Sequence, residues 1–176
     1  MSGTYTRLCS NQKGVKVNDD TEVEDELAHL ISKEQTSLIT HTKVNTNFSG
    51  EVVTINPGYA KVVLDTLEVM RADEIGMVHG GFIFSAADFA AMAAVNEPNV
   101  VLASSTCLFL SPVRIGDQVT FIAEEHQKEG KKRTVHVKGY VYDIKVFEGD
   151  FKTIITDRHV LRLDLLKNTE ELRQEL

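Results

Sequence analysis

The segment Gly81–Asn96, GFIFSAADFAAMAAVN, constrains this chain more than any other. Alanine-rich and free of internal Gly and Pro, it predicts a helix that Glu97-Pro98-Asn99 stops. Its nearly apolar run, Phe82–Val95, falls short of the roughly 18 residues that span a bilayer. A helix apolar on every face, roughly 24 Å long, must therefore be enclosed by the rest of the chain. Asp88 is the one charged residue inside it. Burying a lone carboxylate is costly, so Asp88 is either hydrogen-bonded to a nearby Ser or Thr in the core, or it is a nucleophile or general base facing a pocket.

The surrounding sequence supplies strands. Leu38, Thr40, Thr42, Val44 and Thr46 alternate at period two, and Val52, Val53 and Ile55 precede the turn Asn56-Pro57-Gly58. Tyr59–Val69, Val100–Leu110, the region of Val119 and Phe121, Thr134–Phe147 and Phe151–Leu163 read as further strands. Glu129-Gly130 and Glu148-Gly149-Asp150 read as hairpin loops. Consecutive hairpins imply an antiparallel sheet, so the fold class is α+β: a long central helix wrapped by a curled antiparallel sheet over residues 36–163. Residues 1–20 are polar and aperiodic and are expected to be mobile. An amphipathic helix is predicted over 21–35, carrying Val23, Leu27, Leu30 and Ile31, and a short helix or tail over 164–176.

His79-Gly80-Gly81 opens the central helix. The unpaired N–H groups of a first helical turn favour developing negative charge, and glycine lets a ligand approach the backbone. Gly80 and Asp88 lie eight positions apart, roughly 12 Å along one helix. One copy of the helix cannot bring both to a single reacting carbonyl, so joint action requires two protomers and an isologous homodimer.

The chain carries a net charge of -7, which argues against binding nucleic acid or an anionic membrane surface. Its cysteines, Cys9 and Cys107, form neither a disulfide framework nor a metal-ligand spacing. No metal is expected, and with no secretory signal in the N-terminal sequence a reduced, cytoplasmic setting fits best. Lys128, Lys131, Lys132, Arg133 and Lys138 form a basic run that is either a solvated hairpin or a site for the phosphates of a small ligand.

His79-Gly80-Gly81 with Asp88 eight residues after the first glycine, and Ser111-Pro112-Val113-Arg114-Ile115-Gly116-Asp117, resemble the hotdog-fold acyl-CoA thioesterases, particularly the phenylacetyl-CoA and 4-hydroxybenzoyl-CoA group, over about residues 45–163. The resemblance implies that acyl-CoA binds between protomers and that no further cofactor is needed. The Gly80 N–H would polarise the thioester carbonyl, and the partner's Asp88 would act as nucleophile or activate water. His79 would support the turn or touch the thioester. Gly81, Ser85, Met92, Arg114, Lys131, Lys132 and Arg133 are the candidate substrate contacts, with a strand hydroxyl drawn from Ser104, Ser105 and Thr106. Where the family carries an Asn or Gln six residues before the histidine, this chain has Asp73, also a candidate contact. An ionised carboxylate accepts hydrogen bonds but cannot donate one to a carbonyl.

A second resemblance, carried by Phe48-Ser49-Gly50-Glu51, Ala93-Ala94-Val95-Asn96, the Arg114–Asp117 turn and Gly130–Val135, is to the effector domain of malonyl-CoA-sensing lipid repressors, which bind acyl-CoA without hydrolysing it. The chain is also similar to virulence-associated hotdog proteins of the flagellar regulon in epsilon-proteobacteria. Two readings follow: a thioesterase, or a non-catalytic acyl-CoA sensor. A hotdog dehydratase ranks below both, because its Pro-Gly before a Glu-bearing helix is absent.

Overall fold

The structure is a computed structural model that describes residues 37–162. The expectations for residues 1–20, 21–35 and 164–176 lie outside the described residues. Six strands form one antiparallel sheet: β1 (Glu51–Asn56), β2 (Tyr59–Asp65), β3 (Val100–Phe109), β4 (Gln118–Glu129), β5 (Lys132–Val141) and β6 (Ile144–Ile155). Their order is β1-β2-β4-β5-β6-β3, which leaves β1 and β3 as the edges. A single helical turn, α1 (Thr46–Ser49), precedes β1, and α2 (Gly80–Val95) packs on all six strands. The class is α+β, as the hairpin pattern predicts.

Alternation sets the two faces of the sheet. Ala60, Val62 and Leu64 of β2, Val119, Phe121 and Ala123 of β4, and Val135 and Val137 of β5 are fully buried beneath α2. Ile83, Ala86, Ala87, Ala90, Ala91 and Ala94 answer from the helix, their small side chains allowing close approach. The fit extends to single atoms. A Cβ on Gly149 would lie 2.8 Å from the Cys107 Cβ and 3.0 Å from the Thr106 carbonyl oxygen on β3. We expect Gly149→Ala to destabilise the fold by about 1–3 kcal/mol, read as a lower urea midpoint at an unchanged m-value.

Four expectations change, one of them at the end of the described residues: the strand predicted over Phe151–Leu163 ends at Ile155, and Val160–Arg162 is a 3₁₀ turn. Leu38–Thr46 forms no strand: Asn96 accepts the Ile39 N–H and donates to the Ser37 carbonyl, while Leu38 and Val44 pack on the core. Thr42 and Thr46 of the alternating set are exposed, so the pattern is not followed by burial. The strand predicted over Tyr59–Val69 ends at Asp65, because Thr66 Oγ1 donates to the Arg114 and Asp117 carbonyls and turns the chain into a short 3₁₀ turn, Glu68–Met70. The predicted hairpin loop at Glu148-Gly149-Asp150 lies inside β6, and the turn is Tyr142-Asp143, with Tyr142 at φ +51°. Gly149 marks close packing against β3 rather than a reversal.

Candidate active site

The site is built at the two ends of one stripe on α2. His79 caps the helix: its Nδ1 accepts the Gly81 N–H at 2.9 Å, and its own N–H donates to the Met70 carbonyl. A Cβ at Gly81 would sit 2.8 Å from that Nδ1, so residue 81 must be glycine for the imidazole to cap. Gly80 is the first helical residue, and its N–H has no acceptor among the described residues. Phe109 closes over it, with its Cε1 3.2 Å from where a Gly80 Cβ would stand.

A cleft of about 310 Å³ opens beside Gly80 and His79. Its walls include Met77, Ile83, Phe109, Leu110, Val113 and Val146. An unpaired N–H beside apolar walls suits a polarised carbonyl joined to an apolar group.

Asp88 lies two turns further along. Gly81, Phe84, Ser85 and Asp88, three and four residues apart, are incompletely buried along one face of α2. Within this stripe Asp88 Oδ1 is buried and has no hydrogen-bond partner among the described residues. Burial pushes the carboxyl up to about 6. The Ser49 and Ser85 hydroxyls bond to each other at 2.8 Å rather than to Asp88. A core Asp satisfied by a neighbouring hydroxyl is therefore not what the structure contains.

The raised value has a consequence for stability. As pH rises from about 4, the Asp88 carboxyl ionises in the unfolded chain before it does so in the folded one. The folded state then binds more protons, and stability falls until pH passes about 6. The loss is on the order of 3 kcal/mol. Urea midpoints measured between pH 4 and 7 should show this fall in the native chain but not in Asp88→Asn.

The other candidates are placed as follows. The β3–β6 register pairs Ser105 with buried Phe151, on the helix side, and Ser104 with exposed Lys152, on the outer side. Of the three strand hydroxyls, Ser105 faces α2. Met92 is fully buried in the core and is not open to a ligand, a correction that follows from its position against the sheet. Lys132, Arg133 and Ser104 border a separate groove of about 370 Å³ that includes neither Gly80 nor Asp88. Arg133 donates to the Gly130 and Lys132 carbonyls, and Lys131 pairs with Asp157. Arg114 is exposed, with its backbone N–H held by Asp117. The Asp73 carboxylate is bonded to its own loop and does not line the cleft. Sequence reasoning passed over the apolar wall; its signal was Phe109-Leu110, two large apolar residues at the end of a strand before Ser111-Pro112.

The model of the thioesterase superfamily matches residues 75–147. The uncharacterized protein PH1136 from Pyrococcus horikoshii is 41% identical, with a TM-score of 0.72 over 73% of this chain and 98% of that one. The chain belongs to the thioesterase superfamily. Its architecture is the hotdog fold of that superfamily. Cj0977, a sigma28-regulated virulence protein from Campylobacter jejuni, is 38% identical with a TM-score of 0.68, over 70% of this chain and 95% of that one. Among curated proteins, methylthioribose-1-phosphate isomerase from Aquifex aeolicus is 50% identical over 115 residues, 65% of this chain and 25% of that protein. The transcription factor FapR from Staphylococcus aureus is 29% identical over 112 residues, 63% of this chain and 60% of the factor. This chain thus spans a quarter of the isomerase and 60% of FapR. The same fold occurs in a Streptococcus pneumoniae protein solved with coenzyme A, 17% identical, with a TM-score of 0.60 over 68% of this chain and 95% of that one. Among the described residues no helix is long and apolar enough to cross a membrane.

Proposed function

We propose that this chain is a homodimeric acyl-CoA thioesterase of the cytoplasm, with each site shared between protomers. The observation that carries the reading is Asp88: the one charged residue of a nearly apolar helix, with Oδ1 buried and without a hydrogen-bond partner among the described residues. A packed core has no use for such a group, whereas hydrolysis needs a base held out of water.

In this reading the Gly80 N–H of one protomer binds the thioester oxygen, and the acyl group lies against Phe109 and Ile83 in the apolar cleft. Asp88 of the other protomer accepts a proton from water as the water oxygen attacks the carbonyl carbon, or attacks that carbon itself. The C–S bond then breaks and the sulfur, taking up a proton from Asp88 or from solvent, leaves as CoA thiol; where Asp88 itself has attacked, water then hydrolyses the resulting anhydride, which releases the acid and restores the carboxylate. Ser105, on the helix side of β3, is assigned in this reading to orient the water or the carbonyl. Among the described residues β3 is an edge strand, and Leu108 and Phe109 at its end and Leu110 just beyond it are exposed at 60%, 56% and 45%, the surface on which a second copy would complete the site. The test is thiol release from acetyl-, octanoyl- and benzoyl-CoA by the purified chain, followed with a thiol reagent. Turnover of at least one ester supports the reading, and binding of all three without release overturns it.

That second result would favour sensing without catalysis, a reading supported by the similarity to FapR and by Asp73 where thioesterases carry an amide. Calorimetry with CoA esters separates the two, because a sensor binds its ester and returns it intact.

A further inference from the structure

We propose that Asp73 is a positioning residue that fixes the Gly80 donor through its own loop, without touching substrate. The chain from Arg71 to Val78 is a small hairpin: Arg71 bridges Val78, and the Ala72 N–H donates to the Met77 carbonyl. Its tip is closed by one oxygen. Asp73 Oδ1 accepts the N–H groups of Ile75, Gly76 and Met77 at 3.0, 2.9 and 3.0 Å. Gly76 takes φ +98° there, a conformation that suits glycine.

The limb that leaves this tip leads to the oxyanion donor. The Gly76 carbonyl accepts the Ile115 N–H, the Val78 N–H donates to the Val113 carbonyl, and His79 follows with its N–H on Met70. Only Val78 and His79 separate the last of the Asp73-bound amides from Gly80. The outside of the tip is braced by Arg71, which reaches the Asp73 and Glu74 carbonyls while Glu68 grips its guanidinium at 2.5 and 2.9 Å. The cleft is lined by Ala72, Met77 and Val78 from this hairpin, and Asp73 points into the hairpin instead. Its negative charge is spent on three backbone dipoles and the neighbouring arginine, which hold the carboxyl below the usual aspartate range. A carboxylate so engaged is directed at its own loop rather than at the cleft.

The inference rests on the thioesterase reading for its kinetic arm only. The experiment compares the full chain with Asp73→Ala and Asp73→Asn, because an asparagine oxygen can still accept all three amides. Hydrogen exchange at residues 75–77 reads the clamp directly, and thiol release with its kcat and KM reads the donor. Exchange should quicken about tenfold in Asp73→Ala, and kcat should fall about tenfold while KM moves less than about threefold. Asp73→Asn should restore most of both. Unchanged exchange in Asp73→Ala overturns the clamp whatever happens to activity. An Asp73→Asn chain that keeps slow exchange yet is as inactive as Asp73→Ala overturns the positioning role, since the charge would then act in the chemistry. If the native chain releases no thiol, the thioesterase reading fails alone, and the exchange result together with CoA-ester affinity decides the clamp.

Discussion

Replacing Asp88 with Asn should lower kcat for thioester hydrolysis by a factor of about 10² to 10⁴, the range lost with a general base, and leave CoA-ester affinity within about threefold. Asn has nearly the shape of Asp and keeps the helix intact, but it takes no proton from water and forms no acyl intermediate. The native chain should also show kcat/KM rising with pH to a plateau above about 6, the value to which burial lifts the Asp88 carboxyl. Below it the group is protonated, and a neutral carboxylic acid is too weak a base to take a proton from water. A variant that hydrolyses at the native rate, or a native profile flat from pH 5 to 8, removes Asp88 from the chemistry. The same substitution should leave the chain more stable at pH 7, because it removes a buried charge that lacks a partner.

Replacing Gly80 with Pro removes the other half of the site. Proline lacks the N–H, and the first position of a helix is the one that tolerates it best. His79, at φ −64° and ψ 126°, already has the backbone that a residue before proline requires. The folded structure should persist, while loss of one oxyanion donor lowers kcat by about 10² to 10³. Gly80→Ala is the companion control: it keeps the N–H, and its Cβ needs only a small shift of the Phe109 ring tip. Mixing the two inactive chains tests the shared site. After unfolding and refolding together, about half the dimers hold one chain of each kind, and each such dimer regains one intact pair of Gly80 and Asp88. Activity should return to about a quarter of the native value. No return on mixing, with heterodimers shown by native mass spectrometry, would mean that Gly80 and Asp88 act within one chain or not together.

The central helix was legible because its pattern is extreme: nothing but enclosure suits Phe82–Val95, and nothing about enclosure explains Asp88. The cap was legible too, since His-Gly-Gly before such a run marks a helix start. The strand ends were harder. Gly149 reads as a turn in sequence, and only the atoms of Cys107 and Thr106 facing it show that it is a packing glycine. Leu38–Thr46 alternates in sequence, but the segment is held at the helix end by Asn96, a contact 57 residues away that no local pattern reveals. Register decided between Ser104 and Ser105, and register depends on the bulge between Leu102 and Ser104. The direction of the Asp73 carboxylate was equally hidden, because a carboxylate three residues from a glycine can face a ligand or its own loop.

The His79 cap settles one matter of proton placement. Because Nδ1 receives the Gly81 N–H, the neutral ring is held as the Nε2–H tautomer. It can offer a bound ester a proton donor, but it has no free lone pair with which to deprotonate water. An imidazole so committed cannot share the duty of base with the carboxylate two turns along, and nitrogen-15 shifts of the ring should report that single tautomer.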